Sequence, residues 1–346
     1  MIQGGKTGAG GCNTPVSVQN PAMPRLHPVA RWVVRGLVTA GLVAYLVRVV
    51  DLGAVARTLA GVHAGMLGAA LVLYLLGQVL SGYKWALLGR GVGLDRAVVD
   101  YVRFYFIGMF FNLLGPSTVG GDVARGLYLG AGRSRELALN SVLFDRLSGL
   151  ALLMALGALA FVFLPDYGLP WPLAATVAGG GVALVGGWWT CPRLVRLLPP
   201  GHRLRHLVEV DLAPFWRDRR LLGRVAAVAV VFHLSQVGVQ YLLARAAGAR
   251  VPLAYCLMYH PLLSVMAALP VSVAGLGVRE SGYLYFLTRV GVARATAVTV
   301  GLLWFSVAVT AGLLGGLLFL ATSAGLPRLR GEPAADGGTL RPTPRV

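Results

Sequence analysis

The sequence predicts an all-α, polytopic integral membrane protein with about six full transmembrane helices and two broken or re-entrant helical hairpins, arranged as an inverted repeat. Three observations predict it. The chain has 346 residues, 56% hydrophobic and only 13% charged, against about 25% charged in an ordinary soluble domain. Its mean hydropathy of +0.71 comes from repeated apolar stretches of near-bilayer length. Two breaks rich in glycine and proline follow apolar limbs at matching places in the two halves. Together these exclude a soluble globular fold, a disulfide scaffold and a disordered chain.

The full spans read in order as 32–50, 64–88, 138–164, 171–189, 222–245 and 297–321. Each is long enough, at about 1.5 Å per residue, to cross roughly 30 Å of hydrocarbon. The third and fourth are separated by the breaker Pro165-Asp166-Tyr167-Gly168. Residues 1–29 read as a flexible N-terminal tail, with no cleavable signal peptide evident. Residues 30–325 form the transmembrane domain. Residues 326–346, rich in Pro and Gly, read as a disordered cytoplasmic tail.

The net charge of +18 would suggest nucleic acid in a soluble chain, but the arginines fall in short segments between apolar stretches, as cytoplasmic loops do. No nucleic-acid partner is expected. Arg193, Arg196, Arg203, Arg205, Arg217, Arg219, Arg220 and Arg224 outnumber Glu209, Asp211 and Asp218 in one loop. That loop and both termini are expected in the cytoplasm of a cell whose inner (plasma) membrane holds the protein. Arg245, Arg250, Arg289 and Arg294 fall on the opposite side and count against this orientation.

Sidedness then requires 100–135 and 253–290 each to enter and leave on one face. The apolar limb 104–115 covers only about 18 Å as helix before Pro116, and the second limb breaks at Pro270. Re-entrant hairpins satisfy this, and two tilted spans apiece would do the same. Leu114-Gly-Pro-Ser-Thr-Val-Gly-Gly-Asp-Val-Ala-Arg125 resembles Leu269-Pro-Val-Ser-Val-Ala-Gly-Leu-Gly-Val-Arg-Glu280. The two prolines are 154 residues apart, the preceding spans 158 and the following spans 159. Span, hairpin and span therefore recur, over about 64–164 and 222–321, with opposite orientation.

The candidate site follows from the breaks. Gly120 and Gly121 give flexibility and Asp122 can cap a helix; Gly275 and Gly277 precede a second helix start near Val278. Two half-helix N-termini with Arg125 and Arg279 would form a cradle for a lipid phosphate, with Asn112 and Glu280 beside them. The bland alternative is that the arginines only anchor at the interface. Asp145 and Arg146 lie a third of the way into a span, where each charge costs roughly 2.5–3.5 kcal/mol without a partner. Neighbours in sequence do not face one another, so Asp145 is expected to pair with Arg125 or Arg279. These pairs support the site or simply hold the hairpin. His233, Gln236 and Gln240 share a face of the fifth span, which fits interhelical hydrogen bonding better than a proton relay. Asn112 serves freed backbone groups or a headgroup.

No GxSxG, P-loop or HExxH motif occurs. Cys12, Cys191 and Cys256 are scattered with no CxxC. No catalytic residue, metal or cofactor is assigned.

The segments FFNLLGPSTVGGDVARGLYL, SVLFDRLSGL and ALPVSVAGLGVRESGYLYFL resemble the lysylphosphatidylglycerol synthase transmembrane-region family, also described as flippase-like domain proteins, over roughly 30–325. The resemblance implies a membrane domain that moves lipids between leaflets, without the soluble aminoacyltransferase domain that some members carry. It implies roles for Asn112, Pro116, Gly120, Gly121, Asp122 and Arg125 in a first signature, Asp145 and Arg146 in a second, and Pro270, Gly275, Gly277, Arg279 and Glu280 in a third. The expected partner is an anionic phospholipid or polyprenyl phosphate. The alternatives are a membrane partner of a lipid-modifying enzyme and a polyprenyl-phosphate-dependent transferase using Asp122 or Asp145 as base.

Overall fold

The computed structural model describes residues 28–114, 119–130, 135–269, 272 and 275–323. Among them every regular element is helical. The helix breakers Pro116 and Pro270 and the terminal segments 1–27 and 324–346 lie outside the described residues.

Helix α1 (Pro28–Val49) ends at Asp51, whose side chain accepts a hydrogen bond from the Gly53 N–H at 2.8 Å and so starts α2 (Leu52–Ala60). The chain bends there by 86°, so the expected first span is one limb of a bent pair. Helix α3 (Ala64–Gly91) is capped by His63 and α10 (Arg219–Ala246) by Asp218, which accepts from the N–H groups of Arg220 and Leu221. The other long helices are α6 (Arg135–Phe163), α7 (Trp171–Leu194) and α13 (Arg294–Ser323). By length and composition α3, α6, α7, α10 and α13 can each cross a membrane, and the α1–α2 pair makes a sixth span if counted as one. Large aliphatic side chains such as Leu37, Val72, Leu76, Val162, Val182 and Leu317 face outward, as hydrocarbon surroundings allow. The chain is a multi-pass membrane protein.

Between the long helices lie two broken pairs: α4 (Val98–Leu114) with α5 (Val119–Leu129), and α11 (Leu253–Ala268) with α12 (Val278–Thr288). The first limb begins earlier than the apolar run suggests, because Val98–Arg103 continue the same helix. Even so α4 and α11 extend only about 25 Å, and α5 and α12 about 16 Å. The helix lengths recur. In the first half α3, α4, α5 and α6 have 28, 17, 11 and 29 residues; in the second α10, α11, α12 and α13 have 28, 16, 11 and 30.

Helix α3 packs along α10, and the broken pair of each half packs against the long helix of the other, α4 on α13 and α11 on α6. Lipid tails are as apolar as the helices, so association relies on close backbone approach at small residues. Gly315 presses on the backbone of Phe106, Gly312 on Leu113, Gly108 on Gly121 and Gly157 on Pro261. The arginine-rich 190–224 segment is folded onto the bundle. It contains α8 (Arg203–His206) and α9 (Ala213–Arg217), and Phe215 of α9 stacks on Phe144 with ring centroids 4.0 Å apart. Trp216 stacks on Trp188 at 4.1 Å and donates its indole N–H to that residue's carbonyl.

Candidate functional site

A cavity of about 710 Å³ opens where the two halves meet, with walls from α3, α4, α5, α6, α10, α11, α12 and α13. Most of its lining is apolar, from residues such as Met109, Leu153 and Leu263, but one wall carries a chain of alternating charges. Lys84 Nζ lies 3.0 Å from Asp145 Oδ1, and Arg125 Nη2 lies 2.9 Å from Asp145 Oδ2. Arg125 reaches Asp122 Oδ1 at 3.1 Å. Arg146 grips Asp122 with two hydrogen bonds of 2.8 Å, Nε to Oδ2 and Nη2 to Oδ1. The side chains of Lys84, Asp145 and Arg125 are 4%, 4% and 2% exposed, whereas Asp122 is 18% and Arg146 46% exposed.

This network resolves the expectation for Asp145 in favour of Arg125 and adds a second partner, Lys84. Lys84 looks topogenic in sequence because it sits near the end of an apolar span. In the fold it is buried, and it also donates to the Asp145 backbone carbonyl at 3.0 Å. All four carboxylate oxygens of Asp122 and Asp145 contact cations, which opposes their use as a general base. The Arg125 guanidinium sits between Trp85 and Tyr105, 4.9 and 5.0 Å from their ring centroids. It lies behind the cavity wall and not on it.

The second half is different. Arg279 is 8% exposed, lines the cavity and stacks on Trp304 with its guanidinium carbon 4.0 Å from the ring. Among the described residues it has no carboxylate partner, and its Nη1 makes no hydrogen bond. Asp145 and Trp304 are each the eleventh residue of α6 and α13. An indole therefore stands under Arg279 at the place in its helix where a carboxylate stands beside Arg125.

The structure brings Asn112, Asp122, Asp145, Arg146, Gly275 and Arg279 to the cavity and leaves Gly120, Gly121, Arg125, Gly277 and Glu280 off its wall. The expected free helix N-termini are partly occupied. Asn112 accepts from the Gly121 N–H at 2.8 Å through its side-chain oxygen and also lines the cavity. Glu280 accepts from the Gly277 N–H at 2.7 Å, capping its own helix. Gly275 and Gly277 adopt φ of +75° and +81°, a conformation side chains resist, and Gly277 also lies against Leu42 of α1.

His233 and Gln236 line the same cavity, as do Gln240 and His260, a residue the sequence reading did not single out. His233 Nε2 donates to the Gly149 carbonyl at 3.0 Å, the interhelical bond expected of it. Gln240 bonds His260 Nδ1 at 2.7 Å. Among the described residues no cluster of three His, Cys, Asp or Glu side chains suits a metal.

A search among proteins of curated function finds no match. A family model described as the lysylphosphatidylglycerol synthase TM region matches residues 32–316. That match spans both halves, both broken pairs and the cavity between them, and it implies a function connected with membrane lipids. The chain belongs to the lysylphosphatidylglycerol synthase transmembrane-region family.

Proposed function

We propose that the protein moves a phosphate-bearing lipid between membrane leaflets, taking the headgroup through the cavity between its two halves. A headgroup cannot cross hydrocarbon with its charge unpaired, since burying an isolated ion costs many kcal/mol. The single observation that carries the reading is a cavity of about 710 Å³ with the buried Arg279 on its wall, a guanidinium that has no carboxylate partner among the described residues. Lys84 and Arg146 also line the cavity, each paired with an aspartate, while the apolar lining suits acyl or prenyl chains.

The recurring helix lengths and the reciprocal packing of α4 on α13 and α11 on α6 support reading the halves as inverted repeats. Rocking of one half against the other would then open the cavity to each leaflet in turn. The arginine-rich 190–224 segment supports an inner-membrane protein with both termini in the cytoplasm. No nucleotide-binding motif occurs in the sequence, so movement runs downhill or is coupled to an ion.

Reconstitution tests this. Liposomes containing the protein and fluorescent phosphatidylglycerol are treated with a membrane-impermeant quencher. Quenching well beyond the outer-leaflet half, absent from protein-free liposomes, is the expected result. Quenching that stops at half with a folded, correctly inserted sample would turn the reading toward a non-transporting partner of a lipid-modifying enzyme.

A further inference from the structure

We infer that the cavity selects its lipid by net charge. It holds the phosphate of a net-anionic headgroup at Arg279 and Ser272, and it excludes a headgroup whose phosphate is outweighed by amines. This rests on the proposed lipid-binding role of the cavity but not on transport.

The acidic groups on the cavity wall are already neutralised. Asp122 and Asp145 are the acidic residues on the cavity wall, and each of their four oxygens lies within 3.1 Å of a cation. Among the described lining residues no carboxylate is therefore left to receive an ammonium group. The chain segments at the two breaks add none, since 115–118 read Gly-Pro-Ser-Thr and 270–274 read Pro-Val-Ser-Val-Ala. Glu280 is buried, caps its own helix through Gly277 and does not line the cavity.

The cations are in excess. Lys84 pairs with Asp145 and Arg146 with Asp122, Arg125 behind the wall bridges both carboxylates, and Arg279 adds a further cation to the lining. Arg279 is the member without an acidic partner among the described residues. A buried guanidinium with an unbonded Nη1 is costly unless water or an anion supplies the missing acceptor. Ser272 Oγ, also buried without a hydrogen-bond partner, lines the same cavity. A guanidinium fork and a hydroxyl are the donors a phosphate monoester or diester uses. The stacked Trp304 fixes the plane of the fork beforehand, so less side-chain freedom is lost on binding. An aminoacylated headgroup would bring ammonium groups into a cavity of the same sign, where neutral amide oxygens such as Gln240 Oε1 line the wall but, among the described residues, no carboxylate is free to balance their charge.

The test is binding, measured apart from transport. Purified protein in neutral detergent is titrated with phosphatidylglycerol, a short polyprenyl phosphate, lysyl-phosphatidylglycerol and inorganic phosphate, following the ligand-induced rise in Tm. Half-saturation by phosphatidylglycerol or the polyprenyl phosphate at a concentration at least tenfold below that for lysyl-phosphatidylglycerol is expected. That ratio should fall toward one in Arg279→Gln. Equal or tighter binding of the lysyl lipid overturns the inference, as does a ratio unchanged in Arg279→Gln. A shift reproduced by inorganic phosphate at the same concentration overturns the assignment to a lipid headgroup. If Arg279→Gln does not accumulate, the wild-type ratio decides alone. Selective binding without leaflet exchange would remove the transport reading and leave charge selection standing; exchange of both lipids at one rate with equal binding would do the reverse.

Discussion

Replacing Asp145 with Asn is the sharpest perturbation of the buried network, because it removes a charge while keeping the volume. Two cations then lose their shared carboxylate. Lys84 is 4% exposed and keeps the Asp145 backbone carbonyl and at most a neutral amide oxygen, while Arg125 is 2% exposed and keeps Asp122 at 3.1 Å. Breaking a buried pair by removing one partner costs about 3–5 kcal/mol, since an uncompensated charge stays inside. At about 2 °C per kcal/mol, the low end for domains somewhat smaller than this one, Tm should fall by roughly 6 °C or more. Thermal unfolding of purified protein in a fixed detergent reads this directly. Adding Lys84→Met should restore part of the loss, because the stranded ammonium leaves with it and the two changes are coupled. A Tm within about 1 °C of wild type for Asp145→Asn, or a double variant no more stable than the single, would refute the assignment of a buried, low-dielectric ion cluster.

Other substitutions grade the same network. Arg146→Gln removes a side chain that is 46% exposed, so its stability cost should stay below about 1 kcal/mol in the same unfolding assay. Arg125→Ala takes away the guanidinium that joins Asp122 to Asp145 and packs between two rings; it should lower Tm strongly, so any loss of lipid movement in it reports folding and not headgroup binding. Gly315→Ala places a methyl group against the Phe106 backbone where α13 crosses α4, which should cost about 1–3 kcal/mol of stability by overpacking. His233→Ala removes the bond to the Gly149 carbonyl, which sits inside α6 and keeps its own helical bond; a loss of about 0.5–1.5 kcal/mol is expected, checked by the same melt.

Much of this architecture was legible in the sequence because each signal was local. Apolar runs gave α3, α6, α7, α10 and α13, and the glycine-rich breaks gave the starts of α5 and α12. Helix α5 already begins at Val119, however, so Asp122 lies within its first turn and holds Arg125 and Arg146 instead of capping the helix. An Asp inside an apolar span has to find a cation, so Asp145 announced a partner. Which cation it found depended on packing between helices that no spacing rule encodes. Lys84, 61 residues before Asp145, carries the same sequence signature as a loop lysine.

The asymmetry between the halves was hidden for a related reason. Aligning the two breaks makes Arg125 and Arg279 equivalent, yet their surroundings are set elsewhere. Three residues before Arg125 stands Asp122, and three before Arg279 stands Leu276. The eleventh residue of α6 is Asp145, and that of α13 is Trp304. One arginine is therefore fixed in a salt-bridge network while the other is left on an indole with an unused donor. The bend at Asp51 and the docking of the 203–217 helices under Phe144 and Trp188 were also unreadable locally, since both depend on contacts with distant side chains.

The central claim is that Arg279 meets the phosphate of a lipid passing through the cavity. The most direct measurement compares leaflet exchange of fluorescent phosphatidylglycerol in liposomes carrying wild type, Arg279→Lys and Arg279→Gln, each first confirmed to be folded and inserted by its melting curve. The account predicts exchange by wild type, slower exchange by Arg279→Lys, which keeps the charge but loses the planar fork, and a rate at the protein-free background for Arg279→Gln. Wild-type rates in a well-folded Arg279→Gln would contradict it.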